Sequence, residues 1–529
     1  HASLLELAAG LAADGGGERR GGPPASPGEN CDGHPGPGEN YKGHPGRGVG
    51  DHDPAGAAAA ADGRSLVRPV ARALGQTSRP PAASAPNERP LTASEPDEPA
   101  LAGLAPEDLT AAIEAARRWD GLILPGLVDI HCHGGGGQSF PDAASPAEAM
   151  AAVQEHLRHG TTSLVASLVT DAPEVLERQT ALLAELCRQG ALAGIHLEGP
   201  FLSERRAGAQ DPAKMQVPDP ALVRRIAQVA DGWLATMTVA PELPGVAAGP
   251  NAPDLAATES GAGAAGGVGT ASSSATRRPS GAEGADSRPE TVVEALAQVG
   301  AAPSFGHTDA SAEEMGRAVD AADRALRRAE AESAAGRVGG GGGQTEPGDG
   351  IGRRATATHL FNGMRPIHHR DPGPALEALA QAAAGKMVVE LIADGVHLDP
   401  RTVRDVFELV GWQGVALVTD AMAAAGMPDG DYQLGPAAVT VADGVARLSG
   451  GGSIAGGTAH LIDVVRSAWR DSGVALEEAV AAASVTPARV LGQSGRRGAL
   501  APGRRADLVL ADGDLVPVEV YQAGRRVGG

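Results

Sequence analysis

Eight short apolar segments recur along the chain, and most of them are followed by a segment with helical periodicity. Strand and helix alternating eight times is typical of a (β/α)8 barrel, in which parallel strands are wrapped by helices. The strand-like segments are residues 127–134, 162–170, 193–200, 234–242, 303–308, 357–364, 387–398 and 414–422. The clearest helical candidates between them are residues 146–160, 174–190, 291–300 and 312–329. The sequence therefore predicts an α/β fold, a TIM barrel spanning residues 115–496.

The rest of the chain divides into low-complexity segments and a strand-like tail. Residues 1–100 are rich in Gly, Pro and Ala, and such a segment cannot bury enough apolar surface to offset its ordering entropy. We expect it to be disordered. Two stretches of similar composition, near 245–289 and 330–352, are predicted to be disordered surface insertions that a barrel tolerates. Residues 497–529 are predicted to form strands of a small β domain beside the barrel.

Composition excludes several classes of partner. The chain carries 44 Lys and Arg against 65 Asp and Glu, a net charge of −21, which argues against nucleic acid or an anionic membrane as the partner. A small anionic substrate stays possible, because a local site can be positive in an acidic protein. Three cysteines without a CxxC motif favour a reducing compartment, the cytoplasm. No apolar run approaches the ~20 residues of a membrane span. The first residues make a poor signal peptide, and the chain begins with His, so we leave its native start open.

Polar side chains end most of the predicted strands. His131 and His133 flank Cys132, and because strand side chains alternate, the two imidazoles face the same way. Active sites of such barrels lie at the carboxyl ends of the strands. The other strand ends carry His196 and Glu198, His307, His359, Asp394 and His397, and Asp420. Histidines with a carboxylate fit zinc or a similar divalent metal, so the sequence predicts a metal centre there.

Some of these residues have two interpretations. Asp420 is either a general base beside a metal-bound water or the N-cap of a following helix. Arg370 offers a planar fork suited to phosphate, or forms a surface ion pair with Asp371. His156, His159 and His460 lie in helical stretches, and we expect them to be surface or packing residues.

Several motifs together resemble one known family. They are PGLVDIHCHGGGG, HLEGPF, GAQDP, FGHTDAS, THLFNGMRPIHHRDPG, IADGVHLDP, VTDAMAAAG and PGRRADLVL. Over residues 115–527, apart from the two insertions, the chain resembles the N-acetylglucosamine-6-phosphate deacetylases of the amidohydrolase superfamily. The resemblance implies hydrolysis of N-acetyl-D-glucosamine 6-phosphate to D-glucosamine 6-phosphate and acetate, in amino-sugar catabolism or recycling. Alternatives are another amidohydrolase, such as an N-acetylgalactosamine-6-phosphate deacetylase, or a non-catalytic sugar-phosphate binder, which the retention of Asp420 disfavours.

The resemblance also implies roles for individual residues. Glu198, His307 and His359 match the main metal ligands, and His131 and His133 match a pair that supports a second metal in some members. We therefore expect one or two divalent ions, zinc above all. Asp420 matches the catalytic aspartate. The positions that match substrate contacts are Ala209, Gln210, Asn362, Gly363, Arg370, Asp394, Gly395, Val396, His397, Ile454, Ala455 and Gly456.

Three further expectations follow from the family. Some relatives carry His where this chain has Gln210, and an amide can donate a hydrogen bond to an acyl oxygen but cannot titrate. Relatives take the arginine matching Arg370 from a neighbouring subunit, which implies a homodimer. The family begins with strands that pair with the C-terminal ones, and residues 1–100 do not resemble strands. We therefore expect the small β-sandwich domain to be incomplete, or the chain to be truncated or mis-started.

Overall fold

The computed structural model describes residues 115–248, 289–336, 352–450 and 452–528. The strands of this part of the chain are β1 (Leu122–Pro125), β2 (Leu127–Cys132), β3 (Gly134–Gly135), β4 (Gln138–Ser139), β5 (Thr161–Leu168), β6 (Gly194–Glu198), β7 (Leu234–Val239), β8 (Ala302–Phe305), β9 (Ala355–Ala357), β10 (Met387–Leu391), β11 (Val415–Leu417), β12 (Gly430–Leu434), β13 (Ala437–Ala442), β14 (Val445–Leu448), β15 (Leu508–Ala511), β16 (Pro517–Gln522) and β17 (Arg525–Arg526).

The helices of the described residues form the outer layer. They are α1 (Pro146–Arg158), α2 (Pro173–Arg188), α3 (Pro220–Ala230), α4 (Val292–Gln298), α5 (Ala312–Gly336), α6 (Gly373–Ala383), α7 (Pro400–Val410), α8 (Leu461–Arg470), α9 (Leu476–Ala482) and α10 (Val485–Val490). Their starts follow ordinary capping chemistry: the Ser145 hydroxyl accepts a hydrogen bond from the Glu148 amide, and Thr291 forms a capping box with Glu294. All four predicted helices are present.

The (β/α)8 prediction is confirmed. Within the described residues, an eight-stranded parallel sheet runs in the order β2-β5-β6-β7-β8-β9-β10-β11. A parallel bridge between Cys132 and Ala421 brings its two ends together, and the Asp420 amide donates to the His131 carbonyl at 2.9 Å. Every residue of the barrel strands is buried, as expected when helices cover one face and barrel side chains fill the other.

The predicted strand segments are longer than the strands that form, most of all 357–364, 387–398 and 414–422, of which β11 keeps only Val415–Leu417. The segment 357–364 is mostly turn, because β9 ends at Ala357 and the backbone then takes positive φ at His359 (28°) and Phe361 (78°). The segment 387–398 keeps strand geometry only to Leu391. After β9 and β10, the polar residues that follow the strand lie in turns at the rim of the barrel.

Three smaller sheets accompany the barrel in the described residues, one of them the two-stranded β3-β4 sheet. The order β1-β15-β16-β17 places the predicted C-terminal strands beside β1, which immediately precedes the first barrel strand. A second sheet, β12-β13-β14, follows the last barrel strand and was not anticipated from the sequence. Residues 1–100 lie outside the described residues, and so do most of 245–289 and 330–352. However, α5 continues through Gly336, so the helix extends into the second predicted insertion. Among the described helices, none is both long and apolar enough to cross a membrane.

Candidate metal centre

Five barrel strands bring six potential metal ligands together at their carboxyl ends. His131 lies on β2, His133 directly follows it, and Glu198 ends β6, while the others follow β8, β9 and β11. The ligands form two groups, within each of which the donor atoms lie within 4.8 Å of one another. The first group is Glu198, His307 and His359, and the second is His131, His133 and Asp420. All six residues are buried. The structure therefore brings together every ligand that the sequence predicted.

The backbone turns sharply where three of these ligands leave their strands. His307, His359 and Asp420 have φ values of 47°, 28° and 48°, in the left-handed region that residues with side chains rarely occupy. Each turn is held by backbone hydrogen bonds: the His307 carbonyl accepts from Ser203 at 2.9 Å, and the Leu360 amide donates to Glu390 at 2.8 Å. Strain of this kind clusters at functional sites, where the surrounding structure supports it.

Glu198 and His133 connect the two groups. The Oε1 atom of Glu198 lies 2.7 Å from the Nε2 atom of His307 and 2.8 Å from that of His359. Its Oε2 atom lies 3.1 Å from His133 Nε2. In the second group, the Nε2 atoms of His131 and His133 are 3.2 Å apart, and each is 3.3 Å from Asp420 Oδ1. The ligands thus surround one continuous centre with two adjacent positions.

The outer ring nitrogens set the direction of the inner ones. His307 Nδ1 lies 2.8 Å from the Arg206 carbonyl oxygen, His133 Nδ1 3.2 Å from the Ser167 carbonyl oxygen, and His131 Nδ1 3.1 Å from Glu390 Oε2. Because these partners are acceptors, each Nδ1 carries the proton, and a neutral ring then aims the lone pair of its Nε2 inward. Lone pairs facing carboxylate oxygens at about 3 Å repel unless a proton or a cation lies between them. The donor set therefore fits a divalent metal, with the outer contacts typical of metal-binding histidines.

The electrostatics point to the same conclusion. Burial acts to lower the pKa of His133, but the facing carboxylates of Asp420 and Glu198 outweigh it and raise the pKa to about 10. Burial also acts to lower the pKa of His359, but the Glu198 carboxylate outweighs it, and the pKa rises to about 9. The pKa of Asp420 falls to about 2, because His131 and His133 outweigh its own burial. The carboxylates thus hold positive charge at the centre, which a metal ion would supply by displacing these protons.

Sequence reasoning missed the residue that orients His131. Glu390 lies on β10 and is buried; its Oε2 atom contacts His131 Nδ1, and its Oε1 atom accepts from the Thr356 hydroxyl at 3.0 Å. The Thr356 hydroxyl is also hydrogen-bonded to the Ser304 hydroxyl, which contacts that of Thr358. These hydroxyls form a hydrogen-bonded layer inside the barrel. The available signal was a glutamate in the middle of the apolar run MVVELI.

Two other strand-end residues have supporting positions. His196 belongs to neither group: its ring nitrogens contact the hydroxyls of Ser167 at 3.0 Å and Thr238 at 2.9 Å. Burial, then the nearby His131, lowers the pKa of His196 well below its ordinary value, which keeps the ring neutral. Asp394 accepts a hydrogen bond from His397 Nδ1 at 2.8 Å and from the His397 amide at 2.8 Å. It therefore orients His397 rather than facing the centre itself.

A cavity of about 320 Å³ opens onto the metal ligands, a volume within the range of small-molecule sites. Seven of the predicted contact residues line it: Ala209, Gln210, Asn362, Gly363, His397, Ile454 and Gly456. Gln210 Nε2 donates to Glu198 Oε2 at 2.6 Å, and its carbonyl accepts from the Thr170 amide at 2.8 Å. Sequence reasoning missed Gly208, Leu434 and Ser453 in the lining. Leu434 comes from the unanticipated β12-β13-β14 sheet, so this sheet shapes one wall.

Five predicted contact residues do not line this cavity: Arg370, Asp394, Gly395, Val396 and Ala455. Ala455 is fully buried in the core between the cavity wall and the β12-β13-β14 sheet. Gly395 and Val396 are exposed on the turn after β10.

For Arg370 and for Asp420, the structure speaks against one of the two interpretations. Arg370 is exposed in the loop after β9, and Asp371 pairs with Arg365 at 2.8 Å, so the ion pair considered as the alternative for Arg370 does not form. The N-cap interpretation of Asp420 is also wrong, because no described helix begins there and its carboxylate faces the histidines.

This centre and its barrel define a class of protein. The chain belongs to the amidohydrolase family, whose sequence profile matches residues 122–527 and whose members are metal-dependent hydrolases. Among solved structures, it is similar to the Mycobacterium smegmatis N-acetyl-D-glucosamine-6-phosphate deacetylase in complex with N-acetyl-D-glucosamine-6-phosphate. The two are 36% identical with a TM-score of 0.59, over 77% of this chain and 87% of that one.

Curated relatives narrow the class further. The chain is 30% identical to the N-acetylglucosamine-6-phosphate deacetylase of Bacillus subtilis, over 75% of this chain and 82% of that protein. It is 27% identical to an N-acetylgalactosamine-6-phosphate deacetylase of Escherichia coli O157:H7, over 76% and 87%.

Proposed function

We propose that this chain removes the acetyl group from N-acetyl-D-glucosamine 6-phosphate, releasing D-glucosamine 6-phosphate and acetate for amino-sugar catabolism or recycling. The observation that carries the proposal is the position of the Asp420 carboxylate, 3.3 Å from two metal-binding histidines and on the wall of the cavity. A general base beside a metal centre serves a hydrolase and has no purpose in a protein that only binds its ligand. The relatives above supply the substrate class.

The same residues suggest how the metal is held. Glu198, His307 and His359 would hold one divalent ion, zinc by their nitrogen and carboxylate donors, and His131 and His133 would support a second. When bound, such an ion polarises an amide carbonyl and lowers the pKa of a water molecule. One or two ions per subunit are compatible with this arrangement, since Glu198 and His133 reach both positions.

Side chains of the chain itself would transfer the proton, donate to the acyl oxygen and contact the sugar. Asp420 accepts the proton of the attacking water and returns it to the departing amine, so that one carboxylate serves as base and then as acid. Gln210 uses one amide hydrogen to hold Glu198, which leaves the other to donate toward the acyl oxygen. His397, oriented by Asp394, and Asn362 supply polar groups to the wall that would contact the sugar.

Phosphate recognition and assembly are further proposals. Arg370 is exposed and does not line the cavity of its own chain, which is consistent with a homodimer in which it reaches the phosphate of the neighbouring site. A cytoplasmic location, expected from the few cysteines, stays a prediction.

The test is acetate release from a panel of N-acetyl sugars by protein loaded with zinc. We expect turnover of N-acetylglucosamine 6-phosphate, weak turnover of the unphosphorylated sugar, and no activity after chelation until metal is restored. Preference for N-acetylgalactosamine 6-phosphate would instead favour an N-acetylgalactosamine-6-phosphate deacetylase. Tight sugar-phosphate binding without acetate release at any metal content would contradict the hydrolase and support a binder.

A further inference from the structure

A second group of metal-binding side chains lies on the outside of the barrel, behind β2. Glu155 near the end of α1, His159 just after that helix and His460 just before α8 place one donor atom each within 4.8 Å of one another. Glu155 Oε1 lies 2.9 Å from His460 Nε2 and 3.3 Å from His159 Nδ1. None of the three belongs to the catalytic centre. The expectation that His159 and His460 serve only as surface or packing residues therefore misses their convergence.

The contacts around His460 are those of a metal ligand. Its Nδ1 lies 3.3 Å from Asp463 Oδ2, and the same oxygen accepts from the His460 backbone amide at 3.2 Å. The other Asp463 oxygen is bound by Arg466, which fixes the carboxylate. A carboxylate that holds one ring nitrogen directs the lone pair of the other outward, and ligating histidines commonly have such a partner. In His460 that nitrogen points at Glu155.

Glu155 is positioned in a similar way. Arg158 binds its Oε2 atom at 2.8 Å, which leaves Oε1 for the two histidines. Gly426, at φ 75°, packs so closely that a Cβ atom there would lie 2.1 Å from Oε1, so the carboxylate is confined between α1 and the loop after β11. The side chains of Glu155 and His460 are only 11% and 9% exposed. A buried carboxylate with a fixed orientation is a preorganised donor.

The spacing suits a small divalent ion. Bonds of about 2.1 Å in a tetrahedral site separate neighbouring donors by about 3.4 Å, and the two observed separations are 2.9 and 3.3 Å. The rings of His159 and His460 stack with centroids 3.6 Å apart and 11° between their planes. Because lone pairs in two parallel planes cannot meet at one ion, the His159 ring must turn out of this stack when the ion binds. His159 is 38% exposed, so a water molecule can fill the fourth position. Binding requires His159 Nδ1 to leave the Glu155 carbonyl, 2.8 Å away, and to shift its proton to the other ring nitrogen.

We propose that Glu155, His159 and His460 form a second, structural metal site that binds zinc or a similar divalent transition ion. An ion there joins the end of α1 to the start of α8. Between these residues on α1, His156 contacts the Gly134 carbonyl at 2.9 Å and the Cys132 sulfur at 3.3 Å. Cys132 lies on β2 between His131 and His133. An ion held by α1 would therefore restrict the motion of β2 through His156 and Cys132.

The test compares the zinc content of folded, full-length variants after dialysis against the same free zinc. His159→Gln changes an exposed residue beyond the helix, and we expect it to bind one zinc ion fewer than the wild type and to lose part of the zinc-dependent rise in melting temperature. The matched control is Arg470→Gln at the far end of α8, which removes an exposed ion pair with Asp514 but contacts none of the three donors, and it should keep the wild-type count. Equal zinc content in wild type and His159→Gln would overturn the proposal, and so would equal loss in both variants.

A second measurement addresses the carboxylate behind His460. Asp463→Asn should weaken this site about 10- to 100-fold in a zinc titration against a competing chelator, as is typical when the partner of a ligating histidine is removed. Affinity at the catalytic centre should not change, because Asp463 has no contact with it. An unchanged affinity for every bound ion would contradict the site, whereas selective weakening of one ion supports it.

Discussion

In the proposed mechanism, the chemistry depends on Asp420. Its carboxylate would be expected to protonate more readily because it is buried, yet His131 and His133 lower its pKa to about 2, so it is ionised throughout the physiological range. Only the ionised form can accept a proton, and the neighbouring histidines keep the carboxylate in that form.

Replacing Asp420 by Asn should therefore remove proton transfer while keeping the volume of the side chain. We expect acetate release to fall by about 100-fold or more, because general acid–base catalysis contributes roughly 10²–10⁴. Metal content should be measured on the same preparation. A variant that retains metal and turns over near the wild-type rate would exclude Asp420 from the mechanism, and one that loses metal would make it chiefly a ligand.

Glu390 acts on the candidate metal centre through His131. It holds His131 Nδ1 at 3.1 Å, so its charge favours the tautomer that directs Nε2 to the centre. Glu390→Gln keeps the shape but removes the charge, and we expect metal affinity to fall about 10- to 100-fold. At saturating metal, kcat should recover, which separates a positioning residue from a reacting one. A low kcat that added metal does not restore would contradict this role.

At the scale of secondary-structure elements, the strand ends carry the site and the small sheets frame it. Barrel strands tolerate polar residues at their carboxyl ends because backbone pairing has finished there, and the side chains turn inward. The β12-β13-β14 sheet is different, since its residues alternate in burial and it contributes Leu434 to the cavity wall. The alternation of apolar and polar residues in these strands is visible in the sequence. It does not indicate, however, that the sheet forms part of the cavity wall.

The four-stranded sheet offers a test of pH dependence. Burial, and then a hydrogen bond from the Tyr521 hydroxyl to Glu519 at 2.6 Å, raises the pKa of Tyr521 on β16 to about 12. The unfolded chain loses this proton near pH 10, so between about pH 10 and 12 the unfolded state binds fewer protons and stability falls as pH rises. The difference in unfolding free energy between wild type and Tyr521→Phe, measured with urea, should shrink as pH rises across that window. A constant difference would contradict the shift.

At the scale of the whole molecule, the barrel should not need the long segment between β7 and α4. The residues that flank it are hydrogen-bonded to each other: the Val292 amide donates to the Gly245 carbonyl at 2.9 Å, and the Val293 amide to Val246 at 3.0 Å. Replacing residues 249–288 by a short Gly-Ser linker should leave kcat and the melting temperature nearly unchanged, because loop length costs little. A large fall in kcat with unchanged folding would instead show that this segment acts at the site.

The quaternary proposal is tested through Arg370. Arg370→Ala should raise KM for the phosphorylated sugar strongly, since losing a charged bidentate contact costs several kcal/mol, and should hardly change the slow turnover of the unphosphorylated sugar. Mixing Arg370→Ala with Asp420→Asn chains, once their subunits are shown to exchange, should restore activity, because one mixed site would have both residues intact. If both substrates suffer equally, Arg370 is structural. No recovery on mixing would contradict a shared site.

The sequence by itself determined the barrel and the strand ends at which the candidate metal ligands lie. Strand and helix periods are local, so the eight strand-like segments were recognisable, and the polar residues that end them were countable before any contact was known. The predicted ligands Glu198, His307 and His359 do converge, because parallel strands in one barrel must end at the same rim. The family motifs added the substrate class.

Only the tertiary structure decided which way these groups point and what stands behind them. His131 meets Glu390 across 259 residues of sequence, and His460 meets Glu155 across 305. It also placed Arg370 outside its own cavity and made Leu434 part of the wall. The physical reason is the same in each case: tautomers, donor spacing and cavity walls depend on contacts between distant segments, which a local pattern does not encode.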